Sequence, residues 1–144
     1  MSDHLEMLDG LSLAQELRSR LGSWSDSTGV VVEIWALPTK PVAAGIAEAV
    51  RWVLGEALGN VEKHSSARHV SVAITTGRDV LKLTVVDDGR GFHPGGRHRG
   101  RGLVGMSARF AELGGTCSVD SAPGQGATVS GTIPLTPPKP PLRG

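Results

Sequence analysis

Apolar positions along the chain fall into blocks whose spacing switches between helical and extended periods. Leu11, Leu13, Ala14, Leu17 and Leu21 recur at helical spacing, with Gly22 following as a stop signal. From Gly29 to Leu37 the pattern alternates, Val30, Val32, Ile34 and Ala36 against Val31, Glu33 and Trp35, and predicts a strand. Pro38 and Pro41 break it, and a long helix is predicted from Val42 to His64. Two strands follow, His69 to Thr75 and Val80 to Val86, joined at Thr76-Gly77-Arg78-Asp79 in the manner of a hairpin. Phe92 to Arg101 carries Gly, His and Arg without an apolar period and reads as a loop. A helix from Leu103 to Leu113 stops at Gly114-Gly115. The last strands are Thr116 to Ser121 and Ala127 to Pro134, turned by Pro123-Gly124-Gln125-Gly126. Beyond Thr136, Pro137, Pro138, Pro140 and Pro141 predict an extended, mobile tail.

The order helix, strand, helix, hairpin, loop, helix, hairpin, without internal repeats, predicts an α+β fold. It is a two-layer α/β sandwich with a mixed sheet and helices on one face. At 144 residues the chain is one domain with a tail, long enough to enclose a hydrophobic core.

Composition narrows the function classes. A net charge of +1 gives no whole-chain attraction to nucleic acid or membrane surfaces. Three Trp, two Phe and no Tyr are few for stacking single-stranded bases, so no nucleic-acid partner is expected. No run approaches the roughly 18 apolar residues of a membrane span, and Met1-Ser2-Asp3-His4 does not open a signal-peptide pattern. The expectation is a cytoplasmic segment without direct membrane contact, belonging to a soluble protein or to the cytosolic end of a membrane-bound sensor. The single Cys117 excludes an internal disulfide and a Cys-based zinc cluster, and its strand context reads as core packing.

Two glycine-rich segments carry the candidate chemistry. Asp87-Asp88-Gly89-Arg90-Gly91-Phe92 follows a strand pattern, where a carboxylate beside residues without side chains can hydrogen-bond a flat ligand. Gly100-Arg101-Gly102-Leu103-Val104-Gly105-Met106 opens a helix, whose backbone N–H groups suit phosphate. On a helical wheel, Ile46, Val50, Val53, Ala57 and Val61 form a core face, and Glu48, Arg51, Gly55, Gly59 and Glu62 a solvated one. Glu56, Asn60, Lys63 and His64 share a stripe between them, the natural wall of a cleft. Asn60 offers an amide oxygen to a hard cation such as Mg²⁺, Glu56 can act as a general base, and Lys63 can reach a phosphate.

These residues resemble the ATP-binding (Bergerat-type) fold shared by gyrase, the heat-shock chaperone, sensor histidine kinases and mismatch-repair ATPases. The resemblance is closest to the C-terminal catalytic domain of bacterial two-component sensor histidine kinases. It rests on Glu56-Ala57-Leu58-Gly59-Asn60-Val61-Glu62-Lys63-His64, the Asp87 turn, the Gly100–Met106 segment continuing to Arg109 and Leu113-Gly114-Gly115, and Gly124-Gln125-Gly126-Ala127-Thr128. It covers Val30 to Leu135. The resemblance implies ATP and Mg²⁺ as cofactors, with Asn60 holding the metal and Glu56 as the catalytic residue supporting phosphoryl transfer. Lys63 and His64 would lie along phosphates and ribose. Asp87, helped by Thr128, would read the adenine amino group, with Gly89 and Gly91 admitting the base. Gly100, Arg101, Gly102, Leu103, Gly105 and Met106 would shape the phosphate end. Residues 92–101 would be a lid, short and without the extra Phe-containing motif of many relatives.

The resemblance further implies division into residues 1–28, a helix and linker from a missing dimerisation domain, 29–135, the catalytic domain, and 136–144, the tail. None of the five histidines stands in the family's acceptor pattern, so the acceptor is expected on a separate dimerisation domain, and a response regulator is the expected partner beyond it. Two other readings compete: a stand-alone anti-sigma-factor serine kinase of the same fold, and a nucleotide-binding regulatory module without catalysis. Gly100-x-Gly102-x-x-Gly105 also fits a dinucleotide fingerprint, but a loop precedes it where a strand is required, and no Gly-Lys-Ser/Thr of a P-loop is present.

Overall fold

The computed structural model describes residues 7–8, 10–65, 67–89, 100–121 and 124–135, with the backbone alone at 7–8, 10–11, 64–65 and 100–103. In chain order the elements are β1 (Met7–Leu8), α1 (Gly10–Thr28), β2 (Val31–Ala36), β3 (Val42–Ala43) and α2 (Ala44–Asn60). A π-helical turn, Val61–Ser65, leads to β4 (His69–Thr76), β5 (Val80–Asp87), α3 (Gly100–Ala111), β6 (Thr116–Ser121) and β7 (Ala127–Pro134).

Five strands form one mixed sheet in the order β2-β4-β5-β7-β6. The hairpins β4–β5 and β6–β7 and the pair β5–β7 are antiparallel, whereas β2 joins β4 in parallel, the intervening α2 serving as the crossover. Alternation sets the two faces. Val70, Val72 and Ile74 of β4, Leu81, Leu83 and Val85 of β5, and Val129 and Ile133 of β7 are buried against the helices. Lys82 and Ser130 are exposed on the opposite face, which no described helix covers, and Thr84 and Thr128 there are half-buried. The α+β sandwich with helices on one side is therefore the observed architecture.

The first helix departs from its expected length. It passes through Gly22 and ends at Gly29, which takes φ +77° and donates its N–H to the Ser25 carbonyl at 2.9 Å. That left-handed residue is the real cap; Gly22, with open space around it, merely costs the helix some propensity. Leu13, Leu17 and Leu21, one turn apart, are fully buried in the same core as α2 and the sheet. The face of α2 expected to be solvated is partly covered by α1. Arg51 forms an ion pair with Glu16, which raises its pKa, and Arg20 Nη1 donates to the Arg51 carbonyl at 3.0 Å. A polar face read on one helix gives no sign that a second helix brings matching polar groups to it.

Three further boundaries move. Val42–Ala43, expected to open the long helix, pairs with Met7–Leu8 as a two-residue ladder. The α-helix ends at Asn60, and the following turn is π-helical, so a projection at 3.6 residues per turn does not extend to Lys63 and His64. α3 begins at Gly100, inside the span expected to be loop. Residues 90–99, most of the expected lid, and the tail 136–144 lie outside the described residues.

Candidate nucleotide-binding site

Asp87 ends β5 on the helix-covered face, in step with Leu81, Leu83 and Val85, and is 8% exposed. It is the one buried polar or charged side chain among the described residues. Its Oδ1 accepts the Gly89 N–H at 2.9 Å, a local turn that holds the carboxylate at the strand end. Its neighbour Asp88 does a different task. Oδ1 of Asp88 accepts the N–H groups of Arg68 and His69 at 2.9 and 3.0 Å, tying the end of β5 to the start of β4. These backbone bonds, with the His69 ring at 3.3 Å, hold the Asp88 carboxyl below its ordinary pKa.

The turn is backed from the other side. Gly126, at φ +72°, sits where a Cβ would run into the Asp87 carbonyl, so the Gly-Gln-Gly segment before β7 is packed on the base of the Asp87 turn. Its signal in the sequence is the Gly124-x-Gly126 pair, which marks the motif without telling which glycine meets Asp87. Thr128 is not brought to Asp87. In the β5–β7 register Ala127 lies opposite Asp87 and Thr128 opposite Val86, so Thr128 takes the outer face of the sheet. There it lines a shallow hollow of about 320 Å³ with Asp120, Ser121, Gln125 and Gly126.

The second wall is α2. Glu56 and Asn60, one turn apart, are half-buried, and Lys63 in the π turn is exposed. His64 lies in the same turn with its side chain outside the described residues, and Gly91 lies outside them altogether. Trp52, one turn before Glu56 on the same flank, was not singled out by sequence reasoning and is the contact with α3. Gly105 rests on its indole, where a Cβ would come 2.5 Å from Cη2, and the Arg109 guanidinium stands 5.0 Å from the ring centroid.

These contacts fix how the helices run. Leu113 lies 3.9 Å from a Cβ placed on Gly45, near the start of α2, while Gly105 and Arg109 meet Trp52 near its middle. α3 is therefore antiparallel to α2, and its N-terminal backbone at Gly100, Arg101, Gly102 and Leu103 lies toward the half of α2 that carries Glu56 and Asn60. The first N–H groups of a helix have no intrahelical partner and suit an anion. Met106 is fully buried in the core, where it anchors α3 and takes no part in an open surface.

The donor set suits a nucleotide with its metal. Among the described residues no three His, Cys, Asp or Glu gather to hold a cation alone. Mg²⁺ held by one or two protein oxygens, with waters and substrate phosphates completing its shell, fits that arrangement.

A two-layer sandwich with a buried strand-end carboxylate, a polar helix flank and a glycine-rich helix start defines a nucleotide-binding ATPase class. Residues 45–137 match the family described as histidine kinase-, DNA gyrase B- and HSP90-like ATPase, and the chain belongs to it. A relative is the signal transduction histidine-protein kinase/phosphatase UhpB of Salmonella typhimurium, 34% identical over 85% of this chain and 25% of that protein. Another is the sensor histidine kinase LiaS of Bacillus subtilis, 29% identical over 90% of this chain and 36% of that one. Among solved structures, the histidine kinase domain of the blue-light activated histidine kinase of Erythrobacter litoralis is 25% identical with a TM-score of 0.70. The alignment covers 85% of this chain and 61% of that one. The chain is thus an ATP-binding domain of the kind sensor histidine kinases carry, which decides against the anti-sigma-factor kinase. It spans about a quarter to a third of the length of these curated relatives.

Proposed function

We propose that this domain binds Mg·ATP and transfers its γ-phosphoryl group to a histidine on a separate dimerisation domain, for relay to a response regulator in the cytoplasm. The observation that carries the reading is Asp87, the one buried carboxylate among the described residues, at the end of β5 in a chain of this ATPase family, with Glu56 and Asn60 one turn apart and half-buried on α2. In this reading Asp87 accepts the adenine amino group, a recognition that excludes a base with a carbonyl there. Asn60 would hold Mg²⁺ through its amide oxygen, an ion that would supply charge neutralisation at the transferring phosphoryl group. Glu56 acts as the general base toward the attacking histidine. Backbone N–H groups at Gly100 and Gly102 receive phosphate oxygens, and Lys63 and His64 line the ribose and phosphates. Arg101 and Leu103 belong to the same phosphate-side turn, and Gly89 and Gly91 leave room for the base. Residues 29–135 form the catalytic unit, with α1 packed on it.

Phosphate transfer to a supplied dimerisation domain tests the proposal. An acid-labile, base-stable phosphohistidine on that domain is expected. ATP binding without any such product would leave a nucleotide-binding module and overturn the kinase reading. No described helix is long and apolar enough to cross a membrane.

A further inference from the structure

Trp52 has no part in the roles assigned above, yet it packs against Gly105 and Arg109 of α3. Its indole is half-buried, with the benzo edge under Gly105, where Cη2, Cζ3 and Cζ2 would stand 2.5, 3.3 and 3.4 Å from an added Cβ. The ring is held by the Arg109 guanidinium at 5.0 Å. Arg109 in turn shares a hollow of about 160 Å³ with Glu48 and Glu112. About a quarter of a turn round the helix from that contact, α3 is anchored by Met106 and Phe110, both fully buried. With Leu113 resting at Gly45, Trp52 sets how closely the N-terminal half of α3 approaches α2.

Geometry makes that thickness matter at the site. Because the helices are antiparallel, the start of α3 lies about one turn beyond Trp52, opposite Glu56 and Asn60, at roughly 1.5 Å per residue. A helix that settles closer or swings away at Gly105 moves the backbone N–H groups of Gly100–Gly102 relative to the Glu56–Asn60 flank. The buried Asp87 is held by its own turn and backed by Gly126.

We infer that Trp52 is a positioning residue for the phosphate end of the pocket, acting as a spacer between α2 and α3 that Gly105 and Arg109 complete. It rests on the proposed nucleotide function and adds a specificity to it: Trp52 governs affinity for the phosphates and not for the base. A Trp that served stability alone would weaken every ligand together.

The test is calorimetric titration of the whole 144-residue chain with Mg·ATP and with adenosine, alongside thermal melts. Trp52→Leu is expected to weaken Mg·ATP about fivefold, the scale of a partly exposed cation–π contact, while leaving adenosine within about twofold. Trp52→Phe, which keeps a ring under Arg109, should recover most of the loss. Gly105→Ala should also lose Mg·ATP selectively, and combined with Trp52→Leu should bind better than either single variant, because the added methyl fills the vacated space. Equal losses for adenosine and Mg·ATP, or unchanged Mg·ATP binding, overturn the spacer role while the nucleotide function stands. Failure of the unmodified chain to bind Mg·ATP overturns that function and the spacer with it.

Discussion

At the residue scale, the proposed function divides ligand recognition, at Asp87, from scaffolding, at its neighbour Asp88. Removing the Asp87 carboxylate takes a charged acceptor out of a buried turn, a loss of roughly 1.5–3 kcal/mol. Asp87→Ala should therefore weaken ATP and adenosine alike by about 10- to 150-fold, and GTP should bind the unmodified domain poorly. Equal affinity for ATP and GTP in a competition titration would contradict the base-reading role. Asn60→Ala should behave differently, removing the Mg²⁺-dependent part of ATP binding and leaving adenosine intact, and titrations with and without the metal decide between them. Glu56→Gln keeps shape and loses charge, so ATP affinity should persist while transfer to a supplied dimerisation domain slows. Asp88 is expected to show itself in stability. Its folded pKa lies below the unfolded value, so its contribution is present above the ordinary carboxylate range and is lost as pH falls through the folded value. Melting temperature followed from pH 6 downward, to about pH 2, should drop less steeply for Asp88→Asn than for the unmodified chain.

At the element scale, strands with strict alternation between Gly and Pro punctuation were legible: β6 and β7 fall where their periods place them, and β4 and β5 are each one residue longer. Two-residue ladders such as β1 with β3 are too short to hold a period, and a continuous apolar run absorbs Val42 into the following helix. The positions proposed to carry chemistry stand out in the sequence because they combine charge with glycine, whereas Trp52 and Gly126 act through contacts across the chain that no local pattern displays. Thr128 illustrates the same limit, since one residue of register puts a side chain on the other face. α1 gives a direct measurement. Leu17→Ala removes a fully buried side chain and should cost about 2–5 kcal/mol in denaturant unfolding. A loss below about 1 kcal/mol would mean that α1 is only loosely attached to the domain.

At the scale of the whole molecule, the ATP-binding apparatus is expected to work without an acceptor of its own. The purified chain should bind Mg·ATP and ADP yet incorporate no stable phosphate when labelled ATP is supplied. Labelling of the isolated chain would place an acceptor among its five histidines and require the division of labour to be redrawn.

The parallel seat of β2 sets a timetable for assembly. Hairpins β4–β5 and β6–β7 close over short turns, but Val32 meets Val70 only after all of α2 has formed between them. Closing that longer loop costs more chain entropy and draws on contacts that already have to exist. The edge carrying β2, and α1 ahead of it, is therefore expected to dock last and to open first. In native-state hydrogen exchange the amides of β2 should exchange through a partial opening, at lower free energy than those of Val72 and Leu83, which should report the global transition. Uniform protection across all five strands would show instead that the sheet assembles in one step.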